Sequence, residues 1–219
     1  MKYLLNTKNS LIIKNHSKEI PFDKEIIIKA ISFSHDLLEK FIDFEVDVFS
    51  ILGMRNLSAF IGEVFSASIQ KQSNGKFLKN PHQDGYPDLL SMHKEGLILW
   101  KQLENRLDEK NPFSPFKEGG LEIKATCGAV PTPQKCSSMG KKKPSIGDCR
   151  IDLLTGYDWK AHHRETNNLV GIVWDFIDRK PTIVGVFYSS DLDEKDWGDI
   201  VQPKEGGGRT TSVSIMNRE

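Results

Sequence analysis

The stretches Asp84-Gly85-Tyr86-Pro87-Asp88-Leu89-Leu90 and Gly119-Gly120-Leu121-Glu122-Ile123-Lys124-Ala125-Thr126 decide how this chain is read. Alternate side chains of a β-strand share a face, so Glu122 and Lys124 point the same way while Ile123 enters the opposite layer. A carboxylate and an ammonium then stand side by side. Asp88 follows a proline that favours an extended or turn conformation, and it precedes an apolar pair that starts a strand. Pairing the two strands in one sheet brings Asp88 and Glu122 together. Converging carboxylates with few rival ligands suit a hard cation such as Mg²⁺, which keeps several waters and bridges to phosphate oxygens. Asp84 is a rival for this role. A carboxylate at the head of a strand is held rigidly, however, whereas Asp84 beside Gly85 suits a turn.

Upstream, Leu57, Phe60, Ile61, Val64 and Phe65 fall at i, i+3, i+4, i+7 and i+8, which predicts a helix over 56–71 with Asn56 as its N-cap. Glu63 lies at the edge of that apolar stripe. With a helix ahead, a strand at each half and a basic segment behind, Pro87-Asp88 and Glu122-Ile123-Lys124 resemble the motif of the PD-(D/E)xK nuclease superfamily, and within it the type II restriction endonucleases. The resemblance covers residues 55–155. It implies an α/β or α+β core, with a central mixed β-sheet flanked by helices. It also implies Mg²⁺-dependent phosphodiester hydrolysis at specific sites in double-stranded DNA, leaving 5′-phosphate and 3′-hydroxyl ends. Asp88, Glu122 and the carbonyl of Ile123 would hold the metal, and Lys124 would orient or deprotonate the attacking water. By the same resemblance Glu63 joins the metal shell; read by itself it is equally an ordinary solvated glutamate. Cutting both strands of a palindromic target is most simply done by a two-fold homodimer. Two other readings stand beside this one. The first is a nuclease of the same fold that resolves DNA junctions or nicks damaged DNA. The second is a non-catalytic DNA-binding protein in which Glu122 and Lys124 form a surface ion pair.

The composition frames these readings. A chain of 219 residues can bury one sizeable core. A single domain is expected, with an N-terminal helical part over 1–54, a catalytic core over 55–155, and C-terminal strands and recognition loops over 156–219. Thirty basic and thirty acidic residues balance, which argues against a generic DNA-coating protein but allows charges segregated by face. No apolar run is long enough to span a membrane, and Met1-Lys2-Tyr3-Leu4-Leu5-Asn6 turns polar too soon for a signal peptide. A soluble cytoplasmic protein with no membrane partner is expected. Cys127, Cys136 and Cys149 give no disulfide framework. With His162 and His163 they also lack the paired spacing that anchors a zinc site.

The remaining segments are read around the motif. Ser10 to Lys14 suits a short strand, and the apolar-rich 24–52 suits one or two helices serving as scaffold or dimer interface. Ser73-Asn74-Gly75 marks a turn, and His82 in the loop that follows is a candidate phosphate contact. The insertion from Ser91 to Glu118, with a helix through Leu97, Leu99, Trp100, Leu103 and Leu107, leaves open whether the two motif strands pair directly. After Lys124 the chain turns polar and basic. Gln134, Lys135, Lys141, Lys142 and Lys143 are candidates for contact with the DNA backbone, unless this is simply a surface loop. Ile146 to Leu154 alternates as a strand would. Leu169 to Phe176 and Thr182 to Tyr188 read as a strand pair joined at 178–181, with Trp174 and Phe187 in the core. Between them His162, Arg164 and Asn167 are candidates to face DNA, although Asn167 suits a structural cap equally well. Gly206-Gly207-Gly208 lacks the ending of a phosphate loop and suits a hinge presenting Arg209 and Thr210 to a groove. The acidic run from Asp191 to Asp199 would be repelled by phosphate, so it is expected to face solvent or a partner subunit.

Overall fold

The computed structural model describes residues 11–15, 18–42, 48–83, 85–162, 164–201 and 213–217. Strands β1 (Leu11–Asn15) and β2 (Lys18–Phe22) pair antiparallel ahead of helices α1 (Glu25–Lys40) and α2 (Val48–Gln72). Then follow β3 (Phe77–Lys79), β4 (Leu89–Ser91), α3 (Lys94–Leu103), β5 (Gly120–Thr126) and α4 (Pro133–Ser138). The chain continues through β6 (Lys160–Ala161), β7 (Leu169–Ile177), β8 (Lys180–Ser189), β9 (Trp197–Val201) and β10 (Val213–Met216). The result is the expected mixed α/β architecture around a central mixed sheet. Among the described residues, no helix is long and apolar enough to cross a membrane.

The main sheet has the order β3-β4-β5-β7-β8. Its neighbours are antiparallel except for β5 and β7, which run parallel, a pairing that requires the long crossover over 127–168. The two motif strands do pair directly, Leu89 with Leu121 and Leu90 with Gly120. The insertion between them leaves the sheet and returns to it, packing Leu103, Phe113 and Phe116 against Leu90 and Met92 in a small core of its own.

Alternation along the strands assigns the two faces of the sheet. Leu121, Ile123, Val170, Ile172 and Trp174 meet Ile27 and Ile31 of α1 and Leu57, Ile61 and Phe65 of α2 in the principal core. Leu169 and Val173 point the other way, against Trp159, Ala161 and Trp197, where the three-stranded sheet β6-β10-β9 closes the second face. The helix predicted from Asn56 is the second part of α2. It continues from Gly53, whose φ of 64° breaks the helical path, so Asn56 lies inside the helix and caps nothing. β7 and β8 join through Asp178 (φ 49°) and Arg179 (φ 63°), the left-handed pair that a two-residue hairpin turn requires.

Two further expectations are corrected. Ile146 to Leu154 is no strand: it is a turn followed by a single 3₁₀ turn over Ile151–Leu153. The buried Asp175 carboxylate takes the Arg150 N–H at 2.9 and 3.1 Å and the Cys149 thiol at 3.4 Å, so this backbone is tied to a side chain instead of a ladder. Phe187 is not in the core either. Its neighbours Val186 and Tyr188 turn toward the helices, which leaves Phe187 46% exposed on the opposite face.

The acidic run divides. Asp191 pairs with Lys14, Asp193 caps the 3₁₀ turn over Glu194–Asp196, and Trp197, paired with Met216 of β10, is buried against Trp159 and Leu169.

Candidate active site

Asp88 and Glu122 meet where β4 ends against β5. Pro87 has no N–H, so the ladder cannot continue past Asp88, and the polar groups at this frayed edge find side-chain partners instead. The Asp88 N–H donates to Glu122 Oε2 at 3.2 Å, and the Ile123 N–H donates to Asp88 Oδ2 at 2.7 Å. On its other side the Asp88 carbonyl accepts from the Asn80 N–H at 2.9 Å, which fixes the aspartate to the end of β3. Lys124 Nζ lies 2.5 Å from Glu122 Oε1 and 3.3 Å from Asp88 Oδ2. Close approach of the strands depends on Gly120, where a Cβ would fall 1.9 Å from the Leu89 carbonyl oxygen.

The electrostatics follow from burial. Glu122 is 4% exposed, and burial pushes its carboxyl up to about 7, with Lys124 pulling it down and the nearby Asp88 charge adding to the rise. Burial alone would lower the Lys124 ammonium, but the Glu122 and Asp88 carboxylates outweigh it and hold Lys124 above the ordinary lysine value. Lys124 is therefore held in its protonated form as a hydrogen-bond donor, while burial holds the Glu122 carboxyl above the ordinary carboxylate range.

Two further residues frame the site. Tyr86 Oη donates to Asn167 Oδ1 at 3.4 Å, and burial with the Glu122 charge raises its phenol well beyond the usual range, so it remains a neutral donor. The Asn168 carbonyl accepts the Glu122 N–H at 2.9 Å. The Asn168 side chain grips β1, accepting from Lys14 N at 2.8 Å and donating to Lys14 O at 2.7 Å. Sequence reasoning missed both roles. Their one local signal is position, Tyr86 directly before the motif proline and Asn168 directly before β7.

The donor set suits a hard divalent cation. Asp88 and Glu122 supply carboxylates, and a strand residue sends its N–H and C=O to the same edge, so the Ile123 carbonyl opens toward Asp88 as well. The Lys124 ammonium already occupies the point where the two carboxylates converge. Glu63 stands outside this group: it is 55% exposed on its side chain and paired with Lys79. Among the described residues, no three His, Cys, Asp or Glu side chains gather in a metal-binding group. Asp84 lies outside the described residues.

The other candidates are scattered. Gln134 and Lys135 are exposed on α4, whose N-terminus is capped by Thr132 accepting from Lys135 N at 3.4 Å, and Lys141, Lys142 and Lys143 are exposed just beyond it. His162 is exposed, and His82 rests against Phe113. Arg164 donates to the carbonyls of Glu194 and Trp197 at 2.8 and 3.4 Å, and Asn167 donates to the Lys14 carbonyl at 3.1 Å, so both brace the fold. Arg209 and Thr210 lie outside the described residues. No protein-family model matches this chain, nor does any curated protein or solved structure.

Proposed function

We propose that this protein is a metal-dependent nuclease of the PD-(D/E)xK type, a cytoplasmic site-specific endonuclease that cuts double-stranded DNA as a homodimer. The observation that carries the reading is the convergence of the Asp88 and Glu122 carboxylates on the Lys124 ammonium at the broken end of the β4–β5 ladder. A merely structural surface ion pair would be solvated. Here Glu122 is buried and the Lys124 and Asp88 side chains are only 19% and 26% exposed, and taking charges out of water can cost more than such a pair returns in stability, so its retention favours a chemical role.

In this function Asp88, Glu122 and the Ile123 carbonyl would hold Mg²⁺, with the Lys124 ammonium giving up the point between the two carboxylates that it fills in the metal-free site. The ion, when bound, stabilises charge on the phosphate and acidifies water. Lys124, held protonated, orients the attacking water by donating a hydrogen bond and does not remove its proton. Its positive charge also faces the phosphate oxygens as the reaction loads charge onto them. The Tyr86 phenol, kept neutral near Glu122, gives its single proton to Asn167 Oδ1 and so positions the wall of the site. Lys135 and Lys141 to Lys143 supply backbone contacts, with the electrostatic, salt-sensitive character of such contacts. The test is incubation with supercoiled plasmid. Nicked and linear forms are expected with Mg²⁺ and not with EDTA or with Glu122→Ala; an unchanged plasmid in all three cases removes the proposal.

A further inference from the structure

Lys124, Gly171 and Phe187 occupy one row across the sheet, Lys124 paired with Gly171 and Gly171 with Phe187. Ladder partners point to the same face, so Phe187 shares the face of Glu122 and Lys124, two strand spacings or about 10 Å from Lys124. Gly171 leaves the middle of the row without a side chain, and the Trp159 indole fills that place. A Cβ on Gly171 would lie 2.5 Å from Trp159 Cε2. Trp159 Nε1 donates to the Ile172 carbonyl at 3.2 Å, which fixes the ring against the sheet. Tyr157 and Phe187 close around it. Ring centroids are 5.7 Å apart for Tyr157 and Trp159, 5.6 Å for Trp159 and Phe187, and 5.4 Å for Tyr157 and Phe187. Trp159 is buried, yet Tyr157 and Phe187 are 44% and 46% exposed. Three rings that brace one another thus leave two of them partly exposed to solvent beside the candidate cleavage centre.

We propose that this platform stacks a nucleobase, displaced from its helix, that belongs to the strand being cut at Asp88, Glu122 and Lys124. The inference rests on the nuclease reading and deepens it: the double-stranded target would be cut with a base next to the scissile phosphate extruded onto the platform or already unpaired. A nucleobase is the occupant that the row geometry favours. The platform lies within the reach of a nucleotide flanking a phosphate at Lys124, and every base offers a π-face to an aromatic ring whatever the sequence. A base still stacked in a duplex has both faces covered, so only a displaced one can use the site.

The test is binding in EDTA, where no cleavage follows, of a fluorescent duplex and of the same duplex carrying one unpaired thymine. Wild type is compared with Phe187→Ala, Tyr157→Ala, Phe187→Leu and Phe187→Tyr, each checked for fold by circular dichroism and for oligomeric state by size exclusion. Tighter binding of the bulged duplex is expected. The alanine and leucine variants should weaken it roughly tenfold to a hundredfold with little change on the paired duplex, and Phe187→Tyr should retain it. Leucine performing as well as phenylalanine would overturn the proposal, because apolar bulk alone would then suffice. Unchanged affinity in the alanine variants would also overturn it, and if their oligomeric state changed at the same time this face would be a contact between copies. A parallel Mg²⁺ cleavage assay separates the two readings. Cleavage with unaltered variant binding removes the platform alone. Platform-dependent binding without cleavage removes the nuclease reading alone. Wild-type protein that neither binds nor cleaves removes both.

Discussion

Replacing Glu122 by glutamine keeps the shape of the side chain, including its acceptor for the Asp88 N–H, and removes its charge. The folded carboxyl titrates at about 7 against an ordinary 4.5, chiefly because it is buried, a gap that corresponds to about 3 kcal/mol. Below pH 4.5 the group is protonated in both the folded and the unfolded chain. As pH rises, the unfolded chain releases its proton and the buried carboxyl does not, so stability present at low pH is lost until the folded carboxyl also ionises near 7. Glutamine has no such loss. Lys124 stays charged throughout this window, and at low pH it faces a neutral group in either protein, so its contribution cancels at the low-pH reference. The variant should therefore match wild type near the lower limit and exceed it by about 3 kcal/mol above pH 8. The assay is urea unfolding of both proteins in EDTA across the window. Parallel stability curves, or a wild type that gains on the variant as pH rises, would refute the reasoning. Adding Mg²⁺ at the upper pH should stabilise wild type alone, by about 1.4 kcal/mol at ten times the dissociation constant.

Three other outcomes follow from the same geometry. Lys124→Ala leaves two carboxylates facing each other without their cation; Mg²⁺ binding measured by calorimetry should persist while single-turnover cleavage falls by roughly 10²- to 10⁴-fold. Gly120→Ala drives a methyl into the Leu89 carbonyl and forces β4 off β5, so thermal unfolding should show a loss of about 2 kcal/mol or more, with Mg²⁺ affinity reduced alongside. Asn168→Ala removes both side-chain hydrogen bonds to the Lys14 backbone, at about 1 kcal/mol each, and hydrogen exchange should quicken at the Lys14 amide before any change at Ile123.

What the sequence makes legible here is mostly local. Period-two alternation is a property of the strand itself, so Glu122 and Lys124 on one face and Ile123 in the core are read correctly from seven consecutive residues. The buried positions Leu57, Ile61 and Phe65 follow from helical spacing in the same way. Direct pairing of β4 with β5 is not legible, because the intervening α3 insertion hides which strand Leu89 meets. Ile146 to Leu154 has a strand pattern, but Asp175, far along the chain, claims its Arg150 amide. Phe187 misleads for a different reason. Val184 to Tyr188 carries apolar side chains or glycine at every position, so alternation gives no phase, and only the register with β7 shows that Phe187 turns outward. Tyr86 and Asn168 acquire their roles from partners that the fold brings together.

The most direct test of the nuclease assignment is digestion of a mixed population of phage DNA with the purified chain, followed by sequencing of the fragment ends. Discrete fragments carrying 5′-phosphate and 3′-hydroxyl ends, formed with Mg²⁺ and lost in Glu122→Ala and Lys124→Ala, are expected. Intact DNA from well-folded protein in Mg²⁺, or fragments that persist in the Glu122→Ala variant, would contradict it.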